Sequence, residues 1–220
     1  MHTWHSHIAA RDIHGRIRIS CPPERIPHPG QYLLAQGEPA SLLAVPLYPG
    51  GKPSQGGLWC APTAPSTWLP GTTLHLRGPL GRGFRGALHA RRLVAFSPDA
   101  FPWVLLPLIH RVLQNGGEAA LFSPPLPSGV PLPAALEILP LEALSETMQT
   151  WGDFWAACCP LESLPHLRVV VGKRPPIPGE VFVHTLMPCG GLADCGVCAV
   201  SLHGKPMLVC KQGPVLPWLP

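Results

Sequence analysis

Charge is scarce in this chain. Asp, Glu, Lys and Arg make up 13% of its 220 residues, against 46% hydrophobic ones. That balance excludes the disordered class, because a chain with this much apolar surface can bury enough of it to fold. The formal charge of +4 is spread thinly, with Arg91-Arg92 and Lys173-Arg174 the densest basic pairs. No stripe interleaves aromatics with basic residues, so nucleic acid is not an expected partner. Long apolar runs are missing as well: the longest, residues 101–109, is about half of what a bilayer requires. No charged-then-apolar leader opens the chain, and a soluble, cytoplasmic protein without membrane contact is expected. Proline, by contrast, is abundant. Thirty-one of them fix φ and remove backbone donors, which predicts short elements, many turns and few long helices.

From residue 13 to about 88 short apolar runs alternate with Pro and Gly: 13–19, 32–35, 42–47, 58–60 and 72–76. This is the pattern of a small antiparallel barrel or sandwich, closed by the turn-rich Gly78-Pro-Leu-Gly-Arg-Gly-Phe84. The rhythm changes at Arg91. Residues 93–96 read as a buried strand, 103–114 as a helix stopped by Asn115-Gly116-Gly117, and 118–122 as the next strand, together a βαβ unit. A further strand is expected at 134–139, a helix over 146–157 and a last parallel strand at 167–171. A stiff link at 175–179 precedes a strand at 181–186 and a cysteine module. The fold class is therefore mixed β and α/β: an N-terminal antiparallel β-barrel (1–88), a small parallel α/β domain (89–179) and a C-terminal metal-binding module with a β-hairpin (180–220). His2, His5 and His7 read as a frayed terminal segment rather than a metal patch. Cys158-Cys159, after Trp151, Phe154 and Trp155, reads as core or helix-end packing.

Of eight cysteines, four crowd into the last 32 residues while Cys21, Cys60, Cys158 and Cys159 are scattered upstream. In a reducing compartment such clustering points to metal and away from disulfides. Five residues separate Cys189 from Cys195, two separate Cys195 from Cys198, and eleven separate Cys198 from Cys210. Two thiolates with two residues between them can grip one metal, since a tight turn brings their sulfurs together. Gly190, Gly191 and Gly196 let the chain wrap closely enough to offer backbone N–H groups to the sulfides of a cluster. The fourth ligand is expected from a hairpin in which 199–202 and 206–209 flank His203-Gly204-Lys205. That pairing sets Cys198 opposite Cys210, Val200 opposite Leu208 and Leu202 opposite Pro206, all on one face. The pattern points to an iron-sulfur cluster that passes electrons. A structural zinc site uses the same four thiolates, although such sites usually show two close knuckles and only Cys195 and Cys198 form one here.

Cys189-Gly-Gly-Leu-Ala-Asp-Cys195-Gly-Val-Cys198, followed by Cys210-Lys-Gln-Gly-Pro-Val215, resembles the C-terminal two-iron, two-sulfur (2Fe-2S) module of the electron-transfer subunit of dihydroorotate dehydrogenase. Related hydrogenase and glutamate synthase partner subunits carry the same module; the first gap here is one residue longer than theirs. Pro29-Gly30-Gln31 is similar to that family's entry to a barrel strand, and Pro70-Gly71 with Gly78 to Phe84 is similar to the end of its flavin-binding barrel. The resemblance implies a flavin-binding-type barrel, a ferredoxin reductase-like, nucleotide-binding-like α/β domain and an iron-sulfur module. It also implies a 2Fe-2S cluster on Cys189, Cys195, Cys198 and Cys210, no catalytic residues, and a catalytic oxidoreductase subunit as partner in a hetero-oligomer.

The family seats FAD against a strand with the motif Arg-Pro-x-Ser, matched here by Val45-Pro46-Leu47-Tyr48. The resemblance thus assigns Pro46, Leu47 and Tyr48 to FAD, with Tyr48 stacking on the flavin or bonding to it, while Val45 stands where an arginine would pair with the diphosphate. A plain strand end at the barrel rim fits the same residues. A nicotinamide cofactor needs glycines after the first strand of the α/β domain, so that helix N-terminal amides approach the phosphates. Phe96-Ser-Pro-Asp-Ala-Phe-Pro-Trp103 has none, and Asp99 would repel a phosphate; Ser97 or Asp99 reads instead as a helix cap. NAD(P)H binding is not expected. The functional expectation is an electron-transfer subunit; the alternative is a non-redox binding or scaffold protein with a structural zinc or cluster.

Overall fold

The computed structural model describes residues 2–38, 43–52, 56–125, 127–172, 174–202 and 204–218, and within these not the side chains of Leu202 and Lys205. The first 80 residues supply six strands: β1 (His2–Arg11), β2 (Ile17–Ser20), β3 (Tyr32–Gly37), β4 (Val45–Leu47), β5 (Gly57–Cys60) and β6 (Thr73–Leu80). They pair antiparallel in the order β4-β3-β6-β1-β2-β5 and curl into a half-barrel. Period-two alternation sets its inner face: Leu74 and Leu76 are buried while His75 between them is exposed. Ile8, Ile17, Ile19, Leu33, Leu47 and Leu58 complete this core.

The N-terminal stretch corrects the expectation of a frayed segment. β1 pairs with β6 from His2 opposite Gly78 to His7 opposite Thr73, and with β2 across a bulge between Ile8 and Ala10. His2, His5 and His7 all face solvent, so the outward histidines hide a strand that ladder bonds on both edges define.

The second half builds another sheet. Its parallel strands are β7 (Arg92–Phe96), β8 (Glu118–Phe122), β9 (Leu136–Leu139), β10 (Phe154–Pro160) and β11 (Gly179–His184). After β11 the chain leaves the sheet, forms the hairpin β12 (Ala199–Leu202) and β13 (Lys205–Leu208), and returns as the antiparallel edge strand β14 (Val215–Trp218). The order β14-β11-β10-β7-β8-β9 reverses direction between β7 and β10. Helices α1 (Leu106–Gln114), α2 (Leu144–Thr150) and α3 (Leu164–Val171) connect the parallel strands, and α4 (Val209–Gln212) precedes β14. β11 and β14 both come from the segment assigned to the metal module, yet they are strands of this sheet.

Two local expectations are corrected. The helix expected over 146–157 ends with α2 at Thr150, and Phe154–Pro160 is the central strand β10. Trp155, Ala156, Ala157, Cys158 and Cys159 are all buried. A parallel strand covered on both faces reads as a continuous apolar run, and here that run imitates a core helix. The strand expected at 167–171 is instead helix α3. Leu164, Leu167 and Val171 are buried at helical spacing while Val169 is 80% exposed, so the i, i+3, i+7 face overrides the β preference of three consecutive valines. Neither Ser97 nor Asp99 caps the first helical segment, which opens at Pro102 with no side-chain cap.

Several contacts join barrel and sheet, among them three that are polar or cationic. The Arg16 guanidinium lies 5.0 Å from the Trp59 ring of the barrel and 4.5 Å from Trp103 of the α/β half, and pairs with Asp12 at 2.7 Å. Arg82 N–H donates to the Gly213 carbonyl at 2.5 Å, and Val215 N–H to the Arg82 carbonyl at 3.2 Å. The Glu180 carboxylate accepts from the backbone N–H groups of Arg85, Gly86 and Ala87 at 3.1 to 3.2 Å, which fixes the chain where it passes from one sheet to the other. Replacing Glu180 by Ala strands these donors. We expect Glu180→Ala to lower stability by about 2 to 3 kcal/mol and the melting temperature by roughly 5 to 10 °C in calorimetry; an unchanged melting temperature would refute the assignment.

Candidate functional site

The thiol loop is positioned by two glycines. Gly190 (φ +55°) lies against the barrel, where a Cβ would come within 2.5 Å of the Leu34 side chain, and Gly191 (φ +79°) would set a Cβ 3.3 Å from the Cys210 carbonyl. Only glycine adopts these angles without strain and permits this approach. Arg77 of β6 then donates to the Gly190 carbonyl at 2.5 Å and pins the loop to the barrel.

The four predicted cysteines lie here as two pairs. The Cys189 and Cys195 sulfurs are 3.5 Å apart, those of Cys198 and Cys210 are 3.2 Å apart, and the Cys210 N–H points at the Cys198 sulfur at 3.5 Å. Cys195 is exposed and Cys189 partly so, whereas Cys198 and Cys210 are buried. Burial first, then the Cys198 sulfur and the charges of Cys189 and Cys195, push the Cys210 thiol up to about 12. Backbone hydrogen bonding at Ala193, then the Cys195 side chain, draw Cys189 down to about 7. The sulfurs therefore form two pairs, one inner and one outer. Among the described residues no three His, Cys, Asp or Glu side chains converge on one metal position. Two thiolates on a tetrahedral metal stand about 3.7 Å apart given metal–sulfur bonds near 2.3 Å, so each pair fits one metal with small movements.

The hairpin delivers Cys210 by a different route from the one expected. Its register is Ala199 opposite Leu208, Val200 opposite Met207, Ser201 opposite Pro206 and Leu202 opposite Lys205, one residue short of the expected pairing. Gly204, at φ +74°, lies between the paired residues Leu202 and Lys205; His203 lies outside the described residues. Cys198 faces Val209 through the Val209 N–H to Cys198 carbonyl bond at 3.0 Å, and Cys210 sits on α4, whose turn swings its sulfur back to Cys198.

Beside the loop lies a cleft of about 750 Å³ between the barrel rim and the carboxyl end of β11. Val45, Pro46 and Tyr48 line it, while Leu47 alternates inward to the barrel core and does not. Tyr48 stands edge-on to Phe182 (5.0 Å between centroids) and to His184 (5.5 Å), and lies 5.8 Å from Tyr32. The Tyr32 hydroxyl donates to the Cys210 carbonyl at 3.4 Å, so an aromatic run connects the cleft to the inner cysteine pair. Pro188, beside Cys189, and Val197, between Cys195 and Cys198, also line the cleft. The Tyr48 hydroxyl is buried with no hydrogen-bond partner among the described residues. Burial also raises its pKa, so it remains a donor.

Tyr32, Phe182 and His184 were not foreseen. A signal existed: the chain has two tyrosines, and both pack at this junction. His184, moreover, ends a strand run at the carboxyl edge of a parallel sheet, where ligands bind. Cys158 and Cys159 take no part; they are buried in β10, and burial pushes both thiols up to about 12.

A curled antiparallel half-barrel followed by a mostly parallel sheet with covering helices defines the ferredoxin reductase-like fold. Among solved structures the chain is similar to an NADH-dependent reduced ferredoxin-NADP oxidoreductase described for flavin-based electron bifurcation, at 16% identity over 97% of this chain and 88% of that one, TM-score 0.74. It is similar also to the ferredoxin reductase of carbazole 1,9a-dioxygenase (14% identity, 80% and 67% covered, TM-score 0.61). The ferredoxin-NADP+ reductase of Plasmodium falciparum matches at 7% identity, with 83% and 96% covered and a TM-score of 0.57. No family model and no curated protein matches the sequence.

Burial lowers the His184 pKa from 6.5 to about 4. The unfolded chain therefore takes up this proton more readily. The stability contributed by neutral His184 is present in full above pH 6.5 and is lost as pH falls toward 4, about 3 kcal/mol in all. Urea unfolding at pH 7, 5.5 and 4 should show this fall, and His184→Gln should flatten it; parallel curves for the two proteins would contradict the assignment.

Proposed function

We propose that this chain is an electron-transfer subunit that holds a 2Fe-2S cluster on Cys189, Cys195, Cys198 and Cys210 and relays electrons to or from a partner oxidoreductase, such as a catalytic subunit of the dihydroorotate dehydrogenase type. The observation that carries this reading is the grouping of the four sulfurs into pairs of 3.5 and 3.2 Å. A binuclear cluster needs one such pair for each iron. A mononuclear zinc needs four donors around one point, whereas the sulfur contacts here fall into two separate pairs.

When bound, the cluster supplies one-electron redox chemistry. The chain's own residues hold the ligands in place: Gly190 and Gly191 allow the close approach, Arg77 clamps the loop, and Tyr32 fixes the Cys210 carbonyl. A partner is supported by the apolar rim of the site, where Leu186, Leu192 and Val197 are 77, 76 and 49% exposed. The fold it shares with reductases, one of them described for flavin-based electron bifurcation, supports an electron-transfer role and a redox ring in the cleft. A flavin ring would lie against Pro46 and Tyr48. FAD's diphosphate has no such support, since Val45 supplies no cation.

Anaerobically purified protein should be reddish brown, contain about two irons per chain and bleach with dithionite. Cys198→Ser should lose most of the iron, and Cys158→Ala should keep it. Colourless protein loaded with zinc would overturn the proposal. Nicotinamide binding has little support at the first strand-to-helix loop: Pro98 and Pro102 lack N–H groups, the Ser97 N–H is bonded to the Phe122 carbonyl, and Asp99 adds negative charge. The isolated protein should therefore show no saturable NADH-dependent dye reduction, measured against dichlorophenolindophenol.

A further inference from the structure

The cleft beside the thiols has an unusual charge balance for a fold shared with flavin proteins. Among the described residues that line it, Glu162 is the one charged side chain. His184 is the one further candidate cation, and burial keeps it neutral. Of the segment after β5, Thr63 alone among the described residues lines the cleft. Pro62 and Pro65 have no N–H, the Thr63 N–H donates to the Ala61 carbonyl at 2.7 Å, and the Thr63 hydroxyl donates to the Pro46 carbonyl at 2.9 Å. The adjoining cleft, which shares Ala44 and Pro188, contains Arg77, His5 and His75. Arg77 gives one N–H to the Gly190 carbonyl, His5 bonds to His75 and His75 to Glu38; none of the three lines the first cleft.

A phosphate brought into the first cleft would lose water, meet no cation and face a carboxylate. A flat, uncharged ring finds the opposite. It meets apolar walls at Pro46, Met187 and Val197, the aromatic edge of Tyr48, and a hydroxyl with no partner among the described residues.

We infer that this cleft takes an uncharged planar aromatic molecule with ring carbonyls, a phosphate-free flavin ring or a quinone, and discriminates against flavins that carry phosphate. The inference rests on the electron-relay reading only for what the ring would do, since its binding follows from the cleft alone. Tyr48 donates to a ring carbonyl after a small shift that uncovers its hydroxyl. Glu162 supplies the discrimination.

The test titrates the full chain with riboflavin, FMN and FAD, followed by quenching of flavin fluorescence, with menadione as competitor. Riboflavin should bind on the order of tenfold tighter than FMN or FAD, the loss expected when a charged group gains no partner. Displacement of riboflavin by menadione would assign the quinone as an occupant of the same site; retention of riboflavin would assign the flavin ring. Glu162→Lys should bring FMN level with riboflavin, and the gain should fade with added salt. Tyr48→Phe should weaken riboflavin on the order of tenfold while leaving the melting temperature of the ligand-free protein unchanged or raised, because an unpartnered hydroxyl has been removed. A tyrosine with a purely structural role would lower it. Tightest binding by FAD, or no binding by riboflavin and menadione alike, overturns the inference. Iron content of the same sample separates the two claims: protein with two irons that prefers FAD leaves the relay standing and sinks this inference. Iron-free protein that prefers riboflavin does the reverse.

Discussion

The packing of Tyr48 against Phe182 and His184 holds the barrel rim to the carboxyl edge of the sheet, and the chemistry of the molecule is arranged around that contact. Three aromatic rings at 4.7 to 5.5 Å make a rigid seam. It also carries a polar atom, the Tyr48 hydroxyl, that packing alone would not place there. Tyr32 extends the seam and ends on the Cys210 carbonyl. One set of contacts therefore joins the two sheets, forms the back of the cleft and steadies the inner cysteine pair. Loosening it would disturb all three together.

The thiol loop depends on the same junction from the other side. It leaves the sheet at His184 and returns through α4 and β14, and both departure and return are anchored in strands paired within the sheet. Arg77 and Gly190 then fasten the loop to the barrel. The sulfurs are thus held by three bodies: barrel, sheet and hairpin. A module that folded apart from the sheet would lack the first two. The ion pair of Lys211 with Asp194 at 2.5 Å is exposed on both sides and contributes little beside these contacts.

Much of this was legible from local patterns because local physics decided it. Glycine and proline breaks framed β3, β5 and β6, and the apolar run before Asn115-Gly116 stopped where α1 stops. The cysteine spacing singled out four residues whose sulfurs lie in two pairs. What escaped was decided by partners distant in sequence. β1 is polar on its outer face and is a strand because β6 and β2 flank it. β10 looks like a helix until its two parallel neighbours are known. Three valines suggest a strand at α3, yet the burial of Leu164, Leu167 and Val171 turns them into a helix face. The hairpin register slipped by one because a two-residue turn needs Gly204 at its second position. The tyrosine seam has no local signature, since Tyr48 and Phe182 lie 134 residues apart and meet only when both sheets are complete.

Open parallel sheets bind ligands where strand order reverses, here between β7 and β10. In this chain that edge is filled by Pro98, Pro102 and Pro160, the buried Ser97, and Asp99 with His166 3.9 Å away. Prolines withdraw the N–H groups and Asp99 supplies the wrong charge for a nucleotide phosphate. The cleft and the paired thiols lie instead one strand further along, at the end of β11, where the sheet meets the barrel and the thiol loop begins. A fold is a scaffold on which sites are placed independently. Here the scaffold is ferredoxin reductase-like, while the paired thiols and the aromatic rings have gathered at the seam between its halves, with one cysteine pair buried beside the rings and the other turned toward solvent.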